Sequence, residues 1–315
     1  MPFFHRFIIS FKERYIKACY NHDKNKGGIF MKLFCSVDME GIAGTINWSQ
    51  EDSFGTRQQV KKWIRKQVEW MIQGIHESDK NQQIEEIVIA DSHNNGDSLE
   101  YDITELDDRM FLISGSPRPE YMMPMFDNSY DVVFFLGYHA GAGRIRSTMD
   151  HTFSNSAFHN VWINSKLVNE TLLNAAYAGY HGVPVGLIIG DLGLKIQLEE
   201  ENLLDWVEFV ITKEGITRFA AKHYPMNIVK NNTIEAVKKV LNKNMNELPT
   251  FKFNSDYDHP IELKIQFNKT QMADAAQFIP EVKRIDARTI QYKNHSFKSI
   301  FNTIAIFSGL TRTTK

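Results

Sequence analysis

Three short apolar runs in this chain each end in residues of the kind that bind metal ions, and that regularity restricts the fold more than any other feature. Lys32 to Val37 (KLFCSV) runs into Asp38-Met39-Glu40-Gly41, Glu86 to Ala90 (EIVIA) into Asp91-Ser92-His93, and Val132 to Gly137 (VVFFLG) into Tyr138-His139-Ala140. Further runs at Phe111 to Ile113 and Val185 to Ile189 (VGLII) end at Ser114-Gly115 and Gly190-Asp191. Between the first two runs, Val60, Trp63, Ile64, Val68, Met71, Ile72 and Ile75 recur at helical spacing over Arg57 to Ser78. Continuous apolar strands separated by helices predict an α/β fold: a mostly parallel sheet with helices on both faces. Right-handed crossovers then bring all the strand C-termini to one edge, where open sheets of this kind bind ligands.

Val161 to Val168 reads as a hairpin turning at Asn164-Ser165, and Glu170 to Tyr180 as a helix rich in Leu and Ala. Beyond Leu204 the pattern weakens. Strands are expected at Glu208–Thr212, Ile261–Phe267 and Val282–Tyr292, and helices at Asn227–Leu241 and Ser296–Leu310, which together make a smaller C-terminal α+β domain. The polar stretch Asn242–Tyr257 is expected to be a mobile loop. The organisation read from this is an extension at 1–30, an α/β metal-binding catalytic domain at 31–205 and a smaller α+β domain at 206–315.

The extension carries six Lys or Arg against Glu13 and Asp23. Lys26-Gly27-Gly28 back-translates to a purine-rich run a few bases before the codon of Met31, as a translated ribosome-binding site would. It reads either as non-native or disordered sequence ahead of a start at Met31, or as a basic amphipathic surface helix. The formal net charge of −2 removes the electrostatic case for a nucleic-acid partner, and no run approaches the roughly 20 apolar residues of a membrane span. Two cysteines give no disulfide framework, which fits a reducing, cytoplasmic location.

On the parallel sheet, Asp38, Glu40, His93 and His139 converge on one crevice. Carboxylates and imidazoles are the donors that hold Zn²⁺ or a similar ion, and a second ion needs a bridging carboxylate. Each residue also has a plainer reading. Strand-end acids cap helices, His93 could cap a turn, Glu170 opens a helix whose dipole favours an acid, and His151 could lie on the surface. No G-x-S-x-G elbow or phosphate-binding loop is present.

The blocks Ser36-Val37-Asp38-Met39-Glu40-Gly41-Ile42-Ala43-Gly44, Asp91-Ser92-His93, Phe135-Leu136-Gly137-Tyr138-His139-Ala140 and Asn169-Glu170 with Leu173-Asn174-Ala175 resemble the M55 family of metallopeptidases, in order, from Met31 to near the C-terminus. The resemblance implies two zinc ions per subunit, held by Asp38, Glu40, His93, His139 and Glu170, with Asp38 bridging. It implies a catalytic role for His151, as acid/base or electrostatic partner. It implies a zinc-dependent aminopeptidase acting on short peptides with an N-terminal D-amino acid of the D-Ala type, by attack of a metal-activated water. It also implies a ring-like homo-oligomer, a decameric ring among the options. The alternatives are another dimetal hydrolase, such as a phosphoesterase or amidase, and a non-catalytic peptide-binding protein. Asp150, beside His151, departs from the family pattern and is expected to add negative charge near the site.

Overall fold

The computed structural model describes residues 30–253 and 259–311; the extension before Phe30 and part of the stretch Asn242–Tyr257 lie outside the described residues. The first strand, β1, is Met31–Val37, and its alternate side chains are buried on both faces. Helix α1 follows at Phe54–His76. It starts three residues ahead of the expected Arg57 because the Ser53 side chain accepts from Thr56 N, an N-cap that hydrophobic spacing does not register. The apolar stripe of α1 is buried as expected, from Val60 through Ile75. Strands β2 (Ile84–Asp91), β3 (Met110–Ile113) and β4 (Val132–Tyr138) come next. The hairpin β5 (Phe158–Ile163) and β6 (Lys166–Leu167) turns at Asn164 and Ser165, both at positive φ, the geometry a two-residue hairpin requires.

Helix α2 (Glu170–Tyr180) is buried on all sides over most of its length, which is why Leu and Ala dominate it. Strand β7 (Val185–Gly190), helix α3 (Leu192–Glu200) and strand β8 (Glu208–Ile211) complete the α/β pattern. A ribbon of β9 (Lys213–Thr217) and β10 (Ala220–His223) follows, which sequence periodicity does not predict. Helix α4 (Met226–Leu241), strand β11 (Ile261–Phe267) and helix α5 (Thr270–Ala276) lead to β12 (Lys283–Arg284), β13 (Thr289–Asn294) and helix α6 (Phe297–Thr311). The single strand expected at Val282–Tyr292 is thus two short ones. Asp286 interrupts it by accepting from Arg288 N and Thr289 N.

The large sheet has the order β3-β2-β1-β4-β7-β8, with every neighbouring pair parallel. Strand order reverses between β1 and β4, which makes the space beyond their C-terminal ends the topological switch point. One face is covered by α1 and α4, through Ile64, Val68, Val237 and Val240 against Leu33, Cys35, Phe134 and Leu136. The other face packs on α2 and, beyond it, on α6 and a second, antiparallel sheet of order β12-β13-β11-β5-β6. That smaller α+β layer therefore draws strands from both sides of residue 205.

Gly179 on α2 lies where a Cβ would fall 1.9 Å from the Phe251 carbonyl oxygen. Gly179→Ala is expected to destabilise the chain by about 1–3 kcal/mol through overpacking, read as a lower urea midpoint at unchanged slope.

Candidate metal centre

Two close backbone approaches build the site. Asp38 N donates to Leu136 O at 2.8 Å and Gly41 N to Gly137 O at 2.6 Å, so the segments leaving β1 and β4 run against each other. A Cβ at Gly41 would sit 1.9 Å from the Tyr138 carbonyl oxygen, and Gly137 has a φ of +82°. The glycines beside Asp-x-Glu and Tyr-His are thus fixed by backbone approach. Ser92 N donates to Val37 O, which brings the β2 end to the same edge. Asp91 closes the loop after β2, accepting from Ser98 N and Leu99 N, and leaves His93 to face the crevice.

Asp38, Glu40, His93, His139, His151 and Glu170 meet beyond the sheet edge, all buried or nearly so. His93 Nδ1 lies 3.1 Å from Asp38 Oδ1 and 3.2 Å from Glu40 Oε2. His139 Nε2 lies 3.8 Å from Asp38 Oδ2 and 3.5 Å from Glu170 Oε2. Asp38 thus turns one oxygen toward each histidine. Three donor triads are compact enough for an ion: Asp38-Glu40-His93, Asp38-His139-Glu170 and Glu40-His139-His151. Glu170 reaches the cluster from the first turn of α2, where the Asn169 side chain accepts from Leu172 N and fixes the start of the helix.

The donor chemistry fits divalent ions with N and O preference. Glu40 Oε2 and His139 Nε2 are buried and lack hydrogen-bond partners, which a buried polar atom tolerates only at a cost unless something else binds it. Burial disfavours charge at all six groups. His139 is nevertheless held up at about 10 by Glu170, Glu40 and Asp38. His93 rises well above the imidazole range beside Glu40 and Asp38, and Glu40 falls well below the carboxylate range beside His93. Asp38 moves the other way, raised by burial and then by the charge of Glu40. The same carboxylates that favour protons on the two imidazoles would favour a divalent ion in their place.

His151 stacks on His139, with ring centroids 4.5 Å apart, and meets Trp48 edge-on at 5.4 Å. Its Nδ1 donates to the Met149 carbonyl, which leaves Nε2 toward the cluster, 3.4 Å from Glu170 Oε1. Burial lowers its pKa despite Glu170. The loop that carries it is tied down by buried Asp191, which accepts from Ser147 Oγ and Thr148 N. The Asp150 carboxylate turns to Arg218 Nε at 3.3 Å and accepts from Gly143 N, so its charge is engaged away from the cleft. The cleft itself is about 460 Å³, lined by Asp38, Glu40, His93, His151 and Glu170 with Trp48, Glu51, Tyr121 and Phe153.

Trp48, Glu51 and Lys213 escaped the sequence reading. Asn47-x-x-Gln50 forms a capping box around the short 3-10 turn Trp48–Glu51, a signal that was there to be read. Nothing in the sequence marks Lys213 as internal. It is fully buried, and its Nζ donates to Glu40 O at 2.5 Å, Thr45 O at 2.5 Å and Thr45 Oγ1 at 2.9 Å. Burial pushes its pKa down to about 7.

A switch-point cluster of acids and imidazoles with a shared carboxylate defines a metal-dependent hydrolase. The chain belongs to the peptidase M55 family, described as D-aminopeptidase, whose model matches residues 31–306. The D-aminopeptidase of Bacillus subtilis (strain 168) is 28% identical over 288 residues, 90% of this chain and 99% of that protein. The solved structure titled "Zn-dependent D-aminopeptidase DppA from Bacillus subtilis, a self-compartmentalizing protease" aligns with a TM-score of 0.78 at 25% identity, covering 89% of this chain and 97% of that one.

Lys213→Met is expected to leave the Glu40 and Thr45 carbonyls unpaired and to cost about 1–3 kcal/mol. Chemical denaturation of the metal-free protein measures it, and an unchanged midpoint would remove Lys213 from this role.

Proposed function

We propose that this chain is a zinc-dependent aminopeptidase that releases an N-terminal D-amino acid from short peptides. The observation that carries the reading is Asp38, which turns one oxygen to His93 and the other to His139 and takes part in both the Asp38-Glu40-His93 and the Asp38-His139-Glu170 triads. In this reading Asp38, Glu40 and His93 would hold one zinc ion and His139 and Glu170, again with Asp38, would hold the second. Two such ions, when bound, supply a reactive water at neutral pH and polarise a peptide carbonyl.

The chain's own residues do the rest. Glu40 and Glu170 each keep one oxygen on a protein donor, Trp48 Nε1 at 2.7 Å and Phe153 N at 2.5 Å, which aims the other inward. His151 presents Nε2 at the cleft wall, where it can stabilise a developing oxyanion or hand a proton to the leaving amine. The relatives named as D-aminopeptidases support the chirality. The self-compartmentalizing relative supports a homo-oligomer, and a decameric ring is the form we propose for size measurement by native mass spectrometry.

Matched D-Ala and L-Ala dipeptides, assayed with added Zn²⁺, test the reading. Cleavage of the D-peptide alone, abolished by a chelator and restored by zinc, is expected. Turnover of phosphate esters without peptide cleavage would overturn it. Glu40→Ala and His93→Ala are expected to lose metal and rate while the circular-dichroism spectrum stays folded, because both side chains lie beyond the strand ends. His151→Ala is expected to keep two zinc ions and to lose about 10²–10⁴-fold in turnover. Unchanged kinetics would leave His151 a packing role between His139 and Trp48.

A further inference from the structure

We infer that the turn Trp48–Glu51 is a positioning element for one metal position only, the Asp38-Glu40-His93 triad, with Glu51 and Trp48 as its positioning residues. The inference rests on the metal reading above and concerns what orients the ligands.

His93 uses both ring nitrogens. Nδ1 faces Asp38 and Glu40, while Nε2 lies 3.2 Å from Glu51 Oε2. An imidazole that binds an ion through one nitrogen is oriented by what the other nitrogen donates to, and a carboxylate there fixes the tautomer and raises the basicity of the ligating nitrogen. With Nε2–H donating to Glu51, an ion bound beside Asp38 and Glu40 would meet the lone pair of Nδ1. Glu40 is held in the same way. Trp48 Nε1 donates to Oε1 at 2.7 Å, and Oε2 is left buried without a hydrogen-bond partner, facing His93 Nδ1.

Both contacts come from one four-residue turn. Ser49 N donates to the Asn47 side chain, and the Gln50 side chain accepts from Asn47 N and Ile46 N, so the turn is locked at both ends of its cap. Trp48 is further backed by Arg218 and Phe219 from the tip of the β9–β10 ribbon. The second triad does not touch this turn through its two other ligands. His139 Nδ1 donates to the Ala140 carbonyl at 2.9 Å, and Glu170 Oε1 accepts from Phe153 N. Glu40 also falls in a triad with His139 and His151, but the ligands His139 and Glu170 take their own outer supports from Ala140 and Phe153, so damage to the turn falls chiefly on the Asp38-Glu40-His93 position.

The test measures zinc affinity and stoichiometry, not turnover. Glu51→Ala, Glu51→Gln and Trp48→Phe are titrated with zinc against a chromophoric chelator, with metal content read by mass spectrometry and folding by circular dichroism. Wild-type protein is expected to bind two ions. Each variant is expected to keep one ion at wild-type affinity and to bind the other about 10–100-fold more weakly, with Glu51→Gln the mildest because its amide oxygen still accepts from Nε2. Two ions at unchanged affinity in Glu51→Ala and Trp48→Phe would overturn the inference, and so would equal weakening of both ions. Wild-type protein that binds no zinc would instead overturn the metal reading, and this inference with it.

Discussion

Asp38 has Glu40 on one side and Glu170 on the other, each with an oxygen within 4.8 Å of its own, at a buried sheet edge, and the rest of the structure answers to that crowding. Buried carboxylates without compensation are costly, and three together repel. His93, His139 and His151 interleave with them, and Glu40 and Glu170 are each also gripped from behind by a protein donor. The arrangement leaves two inward atoms, Glu40 Oε2 and His139 Nε2, without hydrogen-bond partners while the outward oxygens of Glu40 and Glu170 are satisfied. That is the pattern of a site held ready for cations, because a hydrogen-bonded core would satisfy both sides.

The sheet makes this crowding possible. Strand order reverses between β1 and β4, which puts the crevice beyond their C-terminal ends. Gly41 and Gly137 let the two backbones touch at its base. Lys213 reaches beneath the Asp38–Thr45 segment from β9 and ties two of its carbonyls, so the ribbon after β8 serves the site although it carries no ligand. The same ribbon's tip backs Trp48, which links the loop before α1, the catalytic-candidate loop at 147–151 and the ribbon into one wall.

Much of this was legible in the chain. Residues Asp38, Glu40, His93 and His139 could be placed together because period and apolar run length specify parallel strands, and parallel strands share an edge. Glu170 could not be separated from an ordinary helix acid by position alone; only resemblance promoted it, and its place in the cluster depends on α2 being buried end-on against the crevice. His151 likewise depended on resemblance, since its loop is shaped by Asp191, more than forty residues away. Asp150 was expected to add negative charge beside the site, and a long-range partner, Arg218, engages that charge.

The sequence by itself determined the strands, the helices and the edge on which the donors gather, because those follow from local periodicity and from the handedness of crossovers. The tertiary structure decided which atoms of those donors face one another, that Asp38 divides its two oxygens between two histidines, and that Trp48, Glu51 and Lys213 belong to the site at all. These are contacts between segments far apart in the chain or set by loop geometry. No residue spacing encodes them until the sheet has fixed the distances.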